Sequence, residues 1–401
     1  MKVLMVNKFF HMNGGSERVF FQERDFLKRA GFPVVDFSMQ DERNLESPFE
    51  EFFISPVNYH SQASLLFKAK QAASFIRSSE ALRLLAELVE RERPDIAHLH
   101  NIYHQITPSI IPLLKKKNVK VVLTLHDGKL VCPSYLMLSK GRICESCMGR
   151  QFYRAMTSGC QTSISNGILL AVEAYYHKIT GSYKGVDAFI SPSGFLADFV
   201  GRYRIPREKI TVLHNGIDTR RYKPSYADEG YALYFGRLSR EKGVATLLRA
   251  HEIMSKNMPL KVVGMGPMES ELRNRYARAE LLGYKTGGEL IKLIDEASFV
   301  IVPSEWYENC SMVVLEAMAL GKPVIGSDTG GIPEQIDNGV TGLMFRMGDA
   351  HDLAGKMELL WEDKNLRKKM GRSARQKLEY EYSLEEHCAR LMKLYDSLLP
   401  Y

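Results

Sequence analysis

The chain has 401 residues, 45% hydrophobic and 25% charged, which is ordinary for a globular protein with room for two α/β domains. No apolar run approaches the roughly 20 residues that span a bilayer, and six cysteines do not make a disulfide-built scaffold. About 30 of the 54 basic residues and about 21 of the 47 acids precede Tyr222, so the first half carries about +9 and the rest about −2. Such a basic half suits an anionic membrane surface or a phosphorylated acceptor. No nucleic-acid module is recognisable, so no nucleic-acid partner is expected. Met1 runs straight into a predicted strand, Lys2 to Asn7, with no room for a signal peptide, so a cytoplasmic setting is expected, with peripheral membrane contact as an option.

Gly14 and Gly15 follow that first strand, then Ser16 as a predicted N-cap of a helix to Ala30. The glycine pair is either a plain turn or a place where backbone meets phosphate or sugar; the G-x-G-x-x-G fingerprint is absent. Apolar residues recur at helical spacing at Leu65, Leu66, Ala69, Ala73, Ile76, Leu84, Leu85 and Leu88, and Lys68, Lys70, Arg77, Arg83 and Arg91 decorate the other faces. That describes a core-packed helix pair with a solvated basic face, or a surface resting on anionic lipid. Strands are expected at Asp95 to His100 and at Val119 to Leu125. The second delivers His126 and Asp127 just past its carboxyl end, with His100, Asn101 and His104 in the neighbouring loop.

An insertion over 128–162 contains Cys132, Cys144, Cys147 and Cys160, spaced C-x11-C-x2-C-x12-C. The spacing admits a structural tetrahedral zinc, reduced thiols or disulfides; four thiolates would leave no open position for catalysis. A helix at Ile168 to Lys178 and strands at Ala188 to Ser191 and Ile210 to Leu213 complete the first half. His214-Asn215-Gly216-Ile217-Asp218 then marks a turn, and Lys223 to Gly230 a linker.

The second half repeats the pattern. A strand at Ala232 to Phe235 enters a glycine-flanked loop holding Arg237 and Lys242, cations able to converge on a diphosphate, and a helix follows from Val244 to Met254. Leu281 to Tyr284 precedes another helix. Phe299 to Glu334 then reads as strand, loop, helix, strand, glycine loop and helix, the grammar of a parallel sheet whose ligands bind beyond the strands' carboxyl ends. Glu308 lies in the first loop and Glu316 about two turns into the helix. Between them, Cys310 leads into the amides of Ser311, Met312 and Val313, a helix N-terminus suited to an anion. A final helix is expected from Leu384 to Leu399.

The stretch from Glu308 to Glu316, with its trailing LEAMALGKPVI and GGIPE, resembles the E-x7-E signature of the family-4 retaining glycosyltransferases. The GRL-x3-KG loop at Gly236 to Gly243, the His126-Asp127 pair, the Gly14-Gly15 loop and the Asn215-Gly216 turn (with His214 where the family carries Pro) resemble it too. The resemblance implies a GT-B fold: a Rossmann-like domain over 1–221, a nucleotide-sugar domain over 229–380, and a tail over 381–401 crossing back to the first domain. It implies that Arg237 and Lys242 grip the donor diphosphate, Glu316 holds the ribose, and Glu308 and His126 contact the donor sugar. Gly15, Gly14, Asn215 and Tyr284 would border the donor.

The implied activity is retaining transfer of a sugar from a nucleotide sugar, with a uridine diphosphate sugar favoured, to a hydroxyl of a glycan or lipid-linked acceptor in surface polysaccharide or glycoconjugate synthesis. No D-x-D motif occurs, so catalysis is expected to need no cofactor or divalent cation, zinc at the cysteines being structural. The alternatives are a non-hydrolysing nucleotide-sugar epimerase of the same architecture, or a non-catalytic nucleotide-sugar or zinc-binding module.

Overall fold

The protein was analysed as a computed structural model describing residues 1–56, 65–161, 163–202 and 205–399. The side chains of Leu65, Leu66, Lys68, Ala69 and Lys70, part of the predicted amphipathic pattern, lie outside the described set, although their backbone is helical.

The first domain is built on β1 (Val3–Val6), β2 (Val34–Phe37), β3 (Ile96–Leu99) and β4 (Lys120–Thr124). After these come a small hairpin, β5 (Leu138–Ser139) and β6 (Arg142–Ile143), then β7 (Ala188–Ser191) and β8 (Ile210–Val212). The large strands form one parallel sheet, ordered β2-β1-β3-β4-β7-β8. Nearly every residue in them is buried, as a sheet covered on both faces requires. The sequence gives little sign of β2, because Asp36 sits in its middle. That carboxylate is fully buried and bound at 2.7 and 2.8 Å by Nε and Nη2 of Arg24, from the helix Gly15–Arg29.

The second domain repeats the plan with β9 (Ala232–Phe235), β10 (Leu260–Val263), β11 (Glu280–Gly283), β12 (Phe299–Val302), β13 (Val324–Ser327) and β14 (Gly342–Phe345), ordered β11-β10-β9-β12-β13-β14. In each sheet the strand order reverses beside the first strand, at β1/β3 and at β9/β12. Doubly wound sheets open their ligand crevices at such switch points.

Two predicted details shift. The first helix is Gly15–Arg29 with Gly14, in extended backbone, at its N-cap position; Ser16 lies inside the first turn and donates to Glu17 Oε2 at 3.0 Å. The helix carrying Glu316 starts at Met312, which puts Glu316 just past its first turn rather than two turns in.

The tail joins the domains. The helix Lys364–Glu381 packs Ala374 and Leu378 into the second domain, and the helix Leu384–Leu398 buries Leu391 and Tyr395 among Val3, Met5, Phe20 and Ile96 of the first. Between them the chain passes Ile217, with Ile217 N donating to Tyr382 O at 2.9 Å and Leu384 N to Ile217 O at 3.0 Å. A Cβ on Gly216 would lie 2.9 Å from Leu384 Cα, so this crossing needs the glycine of the Asn215-Gly216 turn. Among the described residues no helix is long and apolar enough to cross a membrane.

Candidate active site

The loops beyond β9 and β12 are locked together by close backbone approach. A Cβ on Gly243, whose φ is +66°, would fall 1.8 Å from Pro303 O, and Glu305 N donates to Glu241 O at 2.8 Å. This places Lys242 Nζ 2.6 Å from Glu308 Oε1, with Ser304 Oγ donating to the same oxygen at 2.9 Å. Glu308 is 9% exposed. Burial pushes its carboxyl up, but the Lys242 charge and hydrogen bond outweigh that and hold it below the usual carboxylate range. The Lys242 ammonium also lies 4.7 Å from the centroid of the Trp306 ring. Arg237, the other predicted cation, is exposed on the same loop, so in this structure Lys242 is paired with Glu308 instead of converging with Arg237. On the far side, Gly330 and Gly331 press against this loop: Gly331 N donates to Glu308 O at 2.6 Å, and a Cβ on Gly331 would meet Asn309 O at 1.8 Å.

The helix N-terminus after Cys310 is narrower than the sequence implies. The Ser311 amide donates to Gln335 Oε1 at 2.8 Å, leaving Met312 and Val313 as first-turn donors for an anion. The Cys310 thiol is buried and pushed up to about 12 by that burial, so it is an inert neighbour. Asn215 Nδ2 donates to Cys310 O at 3.4 Å, tying the interdomain turn to the base of this loop. Gly15 faces the same helix across the cleft, since its Cβ would lie 3.5 Å from Met312 Cγ; Gly14 faces Glu17 instead.

Glu316, 7% exposed, forms an ion pair with Nη1 of Arg18 from the first domain and accepts from the Tyr222 hydroxyl at 3.3 Å. Tyr284, 62% exposed, lies near Arg18 and so borders the same pocket. Sequence reading missed Arg18: a pairing across 298 positions leaves no local signal.

His126 reaches the cleft from the first domain. Its Nε2 is 2.8 Å from His100 Nδ1, its carbonyl accepts from Asn309 Nδ2 at 2.6 Å, and so it touches the loop of Glu308 directly. Burial, with His100 beside it, holds His126 well below the ordinary imidazole value, so it is neutral. His100 itself is buried beneath His126 and supports it, whereas His104 stacks on Phe75 away from the pair. Asp127 accepts from the Tyr103 hydroxyl and from Lys129 N at 2.9 Å, and burial raises its carboxyl to about 6. A small cavity lined by His100, Asn101, Tyr103, His126, Asp127 and Lys129 opens here. A second interdomain contact went unread: Glu334, the last residue of GGIPE, accepts from the amides of Gly194 and Phe195 at 2.8 and 2.6 Å, capping a first-domain helix with a second-domain carboxylate.

Two Rossmann-like domains meeting at a cleft are the architecture of the GT-B glycosyltransferases, and solved structures agree. The chain superposes on the sucrose-phosphate synthase of Thermosynechococcus elongatus with a TM-score of 0.74 at 17% identity, covering 99% of this chain and 98% of that one. The Anabaena protein HepE, crystallised with UDP, gives 0.67 at 17% identity over 99% and 100%. Within that class the protein belongs to glycosyltransferase family 4: the family described as "Glycosyltransferase Family 4" matches residues 13–221, and "Glycosyl transferases group 1" matches 217–377. Similar proteins include an uncharacterized glycosyltransferase of Methanocaldococcus jannaschii, 25% identical over 324 residues (79% of this chain, 80% of that one). The N-acetyl-alpha-D-glucosaminyl L-malate synthase of Bacillus anthracis is 24% identical over 333 residues, 79% and 78% of the two chains.

Proposed function

We propose that this glycosyltransferase moves a sugar, with retention of anomeric configuration, from a nucleoside diphosphate sugar to a hydroxyl of a glycan or lipid-linked acceptor. The observation that carries the reading is one loop-helix unit holding Lys242 on Glu308, the Met312 and Val313 amides and Glu316, opposed by Gly15 and His126 of the other domain. A diphosphate on those amides has Lys242 and Arg237 to take up charge as the bond from sugar C1 to phosphate oxygen breaks. The acceptor oxygen then bonds to C1 on the face the diphosphate leaves, and its proton passes to the departing phosphate oxygen. Glu308 orients the donor sugar, with neutral His126 beside it. Glu316 exchanges Arg18 for the ribose hydroxyls.

A uridine diphosphate sugar is the favoured donor, supported by the fold shared with a protein crystallised with UDP, and a guanosine diphosphate sugar comes next. The sequence has no D-x-D motif, which supports catalysis without a divalent cation. The basic first half supports acceptors held at an anionic membrane surface. The test is a thermal-shift panel of nucleoside diphosphates and their sugars without added metal, followed by a transfer assay on the stabilising donor. A ligand at 100 times its Kd adds about 2.7 kcal/mol, a shift of several degrees. No shift with any nucleotide from a folded sample overturns the reading.

A further inference from the structure

The insertion between β4 and the helix Ile164–Thr180 packs Val131, Cys132 and Met137 into the main core of the first domain, but the rest of it carries little apolar material. Its separate core is Cys147, Phe152 and Ala155, with Cys160, Ala174 and Tyr175 packed around them. Its one regular element besides short 3-10 turns is the two-residue hairpin β5–β6. Its backbone is also demanding. Tyr135, Met137, Lys140 and Arg150 all adopt positive φ, four of the nine non-glycine residues that do so among the described residues. Such conformations persist where surroundings over-determine them; the main core does this for Met137, whereas the small cluster of Cys147, Phe152 and Ala155 offers little to the residues beyond it.

The four cysteines ring one cavity where support is needed. Cys132 ends a turn closed by its amide on Gly128 O at 2.8 Å; Cys144 closes the hairpin with its amide on Met137 O at 2.8 Å; Cys147 and Cys160 sit in the miniature core. All four line a single cavity, and all are free thiols. Gly149, two residues beyond Cys147, lies in the left-handed region, a tight reversal that glycine accommodates just after the C-x2-C turn. Among the described residues, donor atoms already within 4.8 Å of one another occur at Glu23, His98 and His100, not at the cysteines, but the His98 nitrogens are taken by Tyr395 and Thr124 and His100 Nδ1 by His126.

We propose that Cys132, Cys144, Cys147 and Cys160 form a structural zinc site that staples this insertion. Four soft sulfur donors, two from a C-x2-C turn and one from each flank, suit tetrahedral zinc. Ligation at about 2.3 Å draws the sulfurs inward from the cavity wall. The stapled hairpin then serves as a strut across the cleft. Glu145, between two of the ligands, accepts from the Tyr307 hydroxyl at 2.7 Å, directly beside Glu308. At the hairpin tip, a Cβ on Gly141 would lie 2.4 Å from Arg240 Nε, in the loop that carries Arg237 and Lys242.

The experiment is elemental analysis of untagged protein purified without added metal, together with the absorption spectrum of protein produced in cobalt medium. About one zinc per chain and the intense thiolate-to-cobalt band of a tetrahedral four-sulfur site are expected. The double variant Cys144→Ser/Cys147→Ser should lose the metal, and Cys147→His should keep it. Removing zinc from the native protein should raise proteolysis within 128–162 at least several-fold over the rest of the chain. Metal-free native protein, four thiols that all react freely, two disulfides by mass spectrometry, or zinc retained in the double variant would each overturn the proposal. If the double variant fails to fold, the zinc content and cobalt spectrum of the native chain decide alone.

Discussion

Arg18 and Glu316 close the cleft on each other: a guanidinium from the first helix of the first domain pairs with the carboxylate proposed to hold the donor ribose. On that proposal the ribose displaces this partner, and the ion pair competes with nucleotide. Arg18→Ala should therefore tighten nucleoside diphosphate binding about three- to tenfold by calorimetry. It should also lower the free protein's melting temperature by a few degrees, because the buried Glu316 loses its partner. Affinity falling instead of rising would show that Arg18 is itself a ligand for the donor.

Lys242 and Glu308 depend on each other. Lys242→Met should reduce turnover by about 10²–10³, the loss typical of removing one preorganised donor to developing charge, with Glu308→Gln similarly impaired. The stability effect has a definite pH sign. With its folded value held below the unfolded one near 4.3, Glu308 stabilises the native state at neutral pH and loses that contribution as pH falls through the folded value. Urea titrations of wild type and Lys242→Met should thus differ most at pH 7 and converge in acid.

Asp127 runs the other way. Burial lifts its folded value to about 6, above the roughly 3.9 of an unfolded aspartate. The native state then binds more protons between those values, and stability falls as pH rises through that window. Asp127→Asn carries no such penalty. Its advantage over wild type should emerge between about pH 4 and 6 and level off at ~1–3 kcal/mol above it. A difference independent of pH would mean that the Tyr103 and Lys129 hydrogen bonds, not the charge, dominate at this position.

Glu334 links the domains through two charge-assisted hydrogen bonds to a helix N-terminus. Glu334→Gln retains one acceptor oxygen and should cost about 1 kcal/mol, and Glu334→Ala about 2 kcal/mol, by denaturant unfolding. Equal small losses for both would mean that water replaces the carboxylate.

Many of the strands and the loops between them were legible because they are short apolar runs, several of them stopped by glycine or proline, as at Val300 to Pro303 and Leu260 to Gly264. Where a polar or glycine residue interrupts the run, as Asp36 does in β2 and Gly342 at the start of β14, the pattern fades and only the partner strand reveals the element. Of the site, the carriers of local motifs, Lys242, Glu308, Glu316 and His126, could be named from sequence. Their partners could not. Arg18 for Glu316, Asn309 for the His126 carbonyl and Glu334 for the Gly194 helix are set by how two separately folded sheets meet, and no spacing within either half encodes that.

The tail helix reaches the candidate site through buried polar contacts alone. His387 Nε2 lies 2.9 Å from Glu23 Oε1 and its Nδ1 2.7 Å from His214 O, so the tail ring is held between a first-domain carboxylate and a backbone carbonyl. The other oxygen of Glu23 faces His98 Nδ1 at 3.2 Å and His100 Nε2 at 3.4 Å, and His100 continues to His126. Removing one member leaves a buried polar group without its hydrogen-bond partner, which costs about 1–3 kcal/mol and more for a charged group; removing both leaves none. His387→Ala and Glu23→Gln should each be strongly destabilising, while the double variant should fall short of their sum by about 1–3 kcal/mol in a double-mutant cycle. Glu23 also lies within ion-pair reach of His100, which meets His126, and so bears on how His126 is held. Glu23→Gln should therefore lower kcat at temperatures where the variant remains fully folded, and His387→Ala, which leaves the Glu23–His100 contact in place, should lower it less. Equal losses of kcat in the two variants would show that the tail acts on His126 only by holding the domain together.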